Sequence, residues 1–232
     1  KNLKKLKLLV ASALLSSTAV YADDCSNTSA TNCGISISGN QTIDIDSSIS
    51  TTDKKGINII NGSNTLTIDG NITTTTGTAN AAMGIRISNV NAVNNVINMT
   101  GDIETITNGS ATDANGIAIS GSASNNTVNI TGNISTSGNF LSGILINASA
   151  DNNNVTLTGD INITGATNAF GVRILGTDAD NLSSDNVITV NGNINTVWHS
   201  IDIGSYAKDN NIVVNGNVQS TGGGAVKISV GQ

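Results

Sequence analysis

One pattern recurs along this chain and limits what it can fold into: N-x-φ-x-φ-x-G-[ND]-φ, where φ is aliphatic. "NNTVNITGNIST" (Asn125 to Thr136) is one copy, and "NNVINMTGDIET", "NNVTLTGDINIT" and "NNIVVNGNVQST" are others. The anchor glycines are Gly70, Gly101, Gly132, Gly159, Gly192 and Gly216, with Ser47 in the same place one unit earlier; successive spacings are 23, 31, 31, 27, 33 and 24 residues. A fixed motif at variable spacing describes a constant scaffold with loops of different length.

Aliphatic residues fill the positions four and two before each anchor and two after it, for example Val128, Ile130 and Ile134 around Gly132. Side chains along a strand alternate between faces, so these positions share one face and that face must be dry. A further short strand follows in each unit: "GINI" at Gly56, "GIRI" at Gly84, "GIAI" at Gly116, "GILI" at Gly143, "GVRI" at Gly171, "SIDI" at Ser200 and "AVKI" at Ala225. Three short strands cannot bury their own apolar face, whereas stacked units bury one continuous core. The expected fold is all-β, a right-handed parallel β-helix of about seven coils with three short strands per coil, the hand following the usual sense of parallel crossovers. At about 4.8 Å per coil the rod would stand about 34 Å tall.

Composition agrees with this reading. There are no prolines, 25 glycines and 2% aromatic residues, against 38% hydrophobic residues drawn mainly from Ile, Val and Leu. Proline would remove a ladder donor, and rings would overfill a narrow coil. Six residues before the anchors stand Asn64, Asn95, Asn126, Asn153, Asn186 and Asn210, with Gln41 in the first unit. Their parity turns them inward, so each amide is expected to bond to its counterparts in the adjacent coils and to turn backbone.

Residues 1–22 read as an export signal: a basic "KNLKKLK", an apolar "LLVASALLSSTAV" and "VYA" ending at Ala22. Without that segment, six basic residues face sixteen acidic ones, a net charge of −10, which disfavours nucleic acid and anionic membranes as partners. Cys25 and Cys33 fall in an expected N-terminal cap over 23–40, where an exported chain would oxidise them to a disulfide. Repeats occupy 41–232, and their running on to "AVKISVGQ" leads us to expect a longer precursor.

The export signal, the Asn/Gly/Thr-rich coils, the scarcity of Cys and Pro and the acidic balance together resemble the N-terminal passenger region of Gram-negative autotransporters (type V secretion). The resemblance spans Asp23 to Gln232. It implies display at the outer-membrane surface or secretion. It also implies a C-terminal β-barrel translocator of roughly 12 strands in the full precursor, and an adhesin-like or stalk role in which variable loops such as "ITNGSATDAN" and "GTDADNLSSD" meet an extracellular protein or glycan.

No catalytic residues, cofactor or metal site are expected. Parallel β-helices also serve as polysaccharide lyases and hydrolases, which need a base beside clustered carboxylates or two close carboxylates; as the alternative reading, such catalytic coils would lie outside this fragment, beyond Gln232, or in the variable loops. A purely structural spacer is the other alternative. Arg86 and Arg173 occupy the same outward slot three coils apart, about 14 Å, too far to act as one catalytic centre. Arg173, Asp202 and Lys227 are adjacent in that slot and read as an exposed charge ladder. The outward residues after the anchors (Thr73 and Thr75, Glu104 and Ile106, Ser135 and Ser137) form no threonine lattice of the ice-binding kind, and no calcium-binding nonapeptide occurs. The most unusual segment is "TVWHSIDIGSY", whose Trp198, His199 and Tyr206 are the candidate ligand-binding residues through ring stacking.

Overall fold

The structure, a computed structural model, describes residues 20–22, 34–76, 82–108, 114–165 and 168–229. Cys25 and Cys33, and most of the expected export segment, lie outside the described residues. Every described regular element is a β-strand.

The strands form three long sheets wound in sequence. Sheet 1 contains Val20–Ala22, Ile35–Ile37, Ile57–Ile59, Ile85–Ser88, Ile117–Ser120, Leu141–Asn147, Ala169–Leu175, His199–Ile203 and Val226–Ile228, in chain order. Sheet 2 stacks seven strands from Thr42–Ile45 to Asn211–Val214, and sheet 3 stacks seven from Ile49–Thr52 to Val218–Ser220. Each coil contributes one strand to each sheet. Neighbours pair in parallel and in the register of the repeat, as in Val128↔Ile97 and Val128↔Val155. The exception is Val20–Ala22, which runs antiparallel to Ile35–Ile37.

The interior is built from columns of like residues. Ile72, Ile103, Ile134, Ile161 and Ile194 form one wholly buried column, and Leu66, Ile97, Val128, Val155 and Ile188 another. Each fully buried aliphatic side chain favours folding by about 1.5–3 kcal/mol. Burial fades in the last coil, where Val226 is 55% exposed and Ile228 67%.

Stacking also explains the anchor glycine. A Cβ on Gly132 would lie 2.1 Å from the carbonyl oxygen of Gly101, and one on Gly159 would lie 2.1 Å from that of Gly132. Each anchor is pressed against the preceding coil, so a side chain there has no room. Ser47 occupies the slot in the first unit of its column; Gly70 presses on Ser47, and no anchor lies before it. The glycines that open the sheet 1 strands answer a different constraint: at Gly56, Gly84, Gly116, Gly143 and Gly171 a Cβ would strike the Cγ2 of Ile72, Ile103, Ile134, Ile161 and Ile194 respectively.

Two ladders of polar side chains lock the register. In the inner one the Oδ1 of Asn95 accepts both the backbone N–H (2.8 Å) and the Nδ2–H (2.7 Å) of Asn64. Asn126 does the same for Asn95, Asn153 for Asn126, Asn186 for Asn153 and Asn210 for Asn186. The Nδ2 of Asn126, Asn153 and Asn186 also donates to the turn carbonyls of Ala92, Ala123 and Ala150. The outer ladder has the opposite sense. Asn71 Oδ1 accepts from the Asp102 N–H (2.9 Å), Asp102 Oδ1 from Asn133 (2.7 Å), Asn133 Oδ1 from Asp160 (2.9 Å) and Asp160 Oδ1 from Asn193 (2.7 Å). There the backbone bond asks only for an acceptor in a solvated place, so Asp and Asn alternate freely. The inner slot needs donor and acceptor together without charge, and only asparagine fills it from Asn64 to Asn210.

Candidate functional site

Regular columns persist inside the rod, but the outer face of sheet 1 departs from them. Its strands hold both arginines and Lys227, while the strands of sheets 2 and 3 hold no lysine or arginine at all. Adding Lys55, two residues ahead of its strand, this face carries four of the six basic residues after position 22.

The parallel register places Phe170 beside His199, Arg173 beside Asp202, and Asp202 beside Lys227. At strand spacing, side chains in such a column must touch. The Phe170 and His199 rings stack with centroids 6.0 Å apart and planes at 23°, and Trp198 meets His199 edge-on at 5.3 Å. The Arg173 guanidinium carbon lies 4.2 Å above the Phe170 ring, a cation-π contact. Its Nε donates to Asp202 Oδ2 at 2.9 Å, while Lys227 Nζ lies 3.6 Å from Oδ1. His199 Nδ1 is 2.9 Å from the Gly224 carbonyl. A carbonyl only accepts, so Nδ1 carries the proton, and in the neutral ring Nε2 is an acceptor.

Asp202 is 1% exposed, which corrects the expectation of an exposed charge ladder. The register is the expected one, but the carboxylate lies between the two flanking cations and is buried. Burial on this scale needs paired charge, and Arg173 with Lys227 supplies it. Asp202 Oδ1 still has no hydrogen-bond partner among the described residues.

The structure joins Trp198 and His199 but places Tyr206 elsewhere. Tyr206 follows the same strand in a turn at φ 60°, and its carbonyl accepts from the Ser183 N–H (3.1 Å). It belongs to a loop stack in which Ser183–Ser184 pairs with Ala207–Lys208. Trp198 also packs against the edge of the core. Phe170 was not among the expected site residues. The signal lay one position before each strand-opening glycine or its equivalent, where Lys55, Met83, Asn115, Ser142, Phe170 and His199 follow one another.

Toward the other end of this face stand Lys55 and Arg86. Burial, and then the positive charge of Arg86, hold Lys55 below the usual lysine pKa; burial also lowers that of Arg86. Arg86 Nη1 donates to Asn58 Oδ1 at 3.2 Å, and neither cation has a carboxylate partner among the described residues. Between the two clusters lie Ala118 and Leu145 in the arginine column, and Asn115 and Ser142 in the Phe170 column. Asn115 Oδ1 accepts from the Ser142 N–H (2.8 Å), but its buried Nδ2 has no partner among the described residues.

The expected loop "ITNGSATDAN" falls partly outside the described residues. "GTDADNLSSD" is tied down locally: Asp178 Oδ1 accepts from Asp180 N–H at 3.0 Å and from Asn181 Nδ2 at 2.8 Å. Among the described residues no group of three or more His, Cys, Asp or Glu converges as a metal site requires. No protein-family model, curated protein or solved structure matches this chain, so the reading of function rests on the parallel β-solenoid and the side chains it carries.

Proposed function

We propose that this chain is an exported, adhesin-like β-solenoid, a passenger of the autotransporter kind, whose rod holds out one saccharide-recognising face. The observation that carries the reading is the convergence of Phe170, Trp198, His199, Arg173 and Asp202 on sheet 1. A sugar offers apolar ring faces to an aromatic platform and hydroxyl oxygens to a cationic donor; the part-exposed Trp198, His199 and Arg173 present both, while Phe170 and Asp202 are buried and hold them in place. The rest of the repeat supports the role by supplying length and register. Export follows from the n-region, h-region and small-residue end of residues 1–22.

The test is a glycan-panel binding assay on wild type and Trp198→Ala, with circular dichroism to verify that the rod persists. Binding to at least one glycan class, lost in the variant, is expected; binding unchanged by the substitution would dispose of the site. The secretion route is tested by sequencing downstream of Gln232, where amphipathic β-barrel strands are expected in frame.

A further inference from the structure

We propose that the outer face of sheet 1 binds a linear acidic polysaccharide laid along the rod axis, held by cations at both ends of the face. This rests on the saccharide reading above and names the ligand class. Arg86, Ala118, Leu145 and Arg173 are successive members of one column, so the two arginines stand about 14 Å apart. That distance defeats a single catalytic centre but suits an extended chain that meets cations at intervals.

Charge selects the ligand. The chain is acidic overall, yet the strands of sheet 1 contain one acid, the buried Asp202, beside Arg86, Arg173 and Lys227. Lys55 and Arg86 are half-buried, repel each other, and have no carboxylate partner among the described residues. An anion placed between them would relieve that repulsion. One buried polar atom on this face, the Asn115 Nδ2 donor, also has no hydrogen-bond partner among the described residues. An unmade hydrogen bond of this kind is costly, and a chain bearing carboxylates supplies the acceptor. Nucleic acid fits less well: its closely spaced phosphates would meet only four cations here, and the acidic remainder of the rod repels it.

The test measures binding of polygalacturonate oligomers, a heparin oligosaccharide, a neutral glucan of equal length and single-stranded DNA to wild type, Arg86→Gln, Lys55→Gln and Trp198→Ala. At least one acidic saccharide is expected to bind more tightly than the glucan, to weaken with salt, and to lose about tenfold or more in affinity in Arg86→Gln. Preference for polygalacturonate identifies carboxylate as the recognised group, and preference for heparin identifies sulfate. Binding that depends on Trp198 but is indifferent to Arg86 and Lys55 overturns this inference and leaves the saccharide site standing. Tighter binding of DNA overturns the choice of polysaccharide, and the absence of any saccharide binding overturns both readings.

Discussion

The inside of the rod and the outer face of sheet 1 are built on the same strands, yet they obey different rules. Inside, most columns keep one kind of residue through coil after coil: aliphatic on aliphatic, isoleucine facing glycine, asparagine bonded to asparagine. On the outer face of sheet 1 a single column runs Asn58, Arg86, Ala118, Leu145, Arg173, Asp202, Lys227. Packing against the coil above and below forces uniformity where there is no water. On the outer side, where most members of the column are part-exposed although Ala118 and Asp202 are buried, uniformity is lost, and cations and rings concentrate on one of three faces. In a repeat protein, departures from the repeat are therefore the places to look for recognition.

The comparison breaks most severely if the anchor column is disturbed. Gly132→Ala puts a Cβ against the Gly101 carbonyl at a φ of 149°, and should cost more than about 3 kcal/mol in urea unfolding. Ser47→Ala, in the same slot of the first unit, should change stability by no more than about 0.5 kcal/mol.

The ladders offer a contrast of similar size. Asn126→Asp removes the Nδ2 donor to Asn153 and Ala92 and leaves a charge in a dry place, for a loss of about 3–5 kcal/mol. In the exposed outer ladder, Asp102→Asn retains the acceptor for the Asn133 N–H and should stay within about 0.5 kcal/mol of wild type.

A smaller effect should run the other way. Thr74, Thr105 and Thr136 turn inward on sheet 3 with hydroxyls that have no partner among the described residues, and Ile163 already occupies the same slot one coil later. Thr105→Val keeps the shape and removes the orphaned hydroxyl, and is expected to stabilise the rod by about 1 kcal/mol.

The weakest effect is electrostatic. Because the folded pKa of Lys55 lies below its unfolded value, the unfolded chain binds more protons between those two values. Stability from this group therefore rises with pH across that window, and its cost is fully present below the folded pKa. Lys55→Met should be slightly more stable than wild type near neutral pH, with the gain shrinking as pH approaches the ordinary lysine value; paired urea midpoints across the range would show it.

Much of the fold was legible because each physical demand recurs. Apolar alternation at Val128, Ile130 and Ile134 gave strand, face and coil at once, and the parity of Asn126 turned it inward. The site was less legible because it has no repeat to announce it. Trp198 and His199 stood out as rare residues, but Phe170 became their neighbour only through the parallel register with the next coil. Asp202 looked exposed because strand parity reports the direction of a side chain, and not the cations that flank it. The polarity of the ladders was likewise hidden: the alternation of Asp102, Asn133 and Asp160 shows in the chain, but its reason, an acceptor-only bond, needs the geometry.

The most direct test of the claim that repetition makes the rod while one irregular face makes the contact is a crossed measurement on two variants, Asn126→Ala and Arg86→Gln. Urea midpoint and affinity for an acidic oligosaccharide are determined for each. The account predicts that Asn126→Ala lowers the midpoint, because two donors of Asn95 lose their acceptor, while affinity of the folded protein is retained. Arg86→Gln should do the reverse, keeping the midpoint and losing affinity. Stability and affinity falling together in both variants would contradict it.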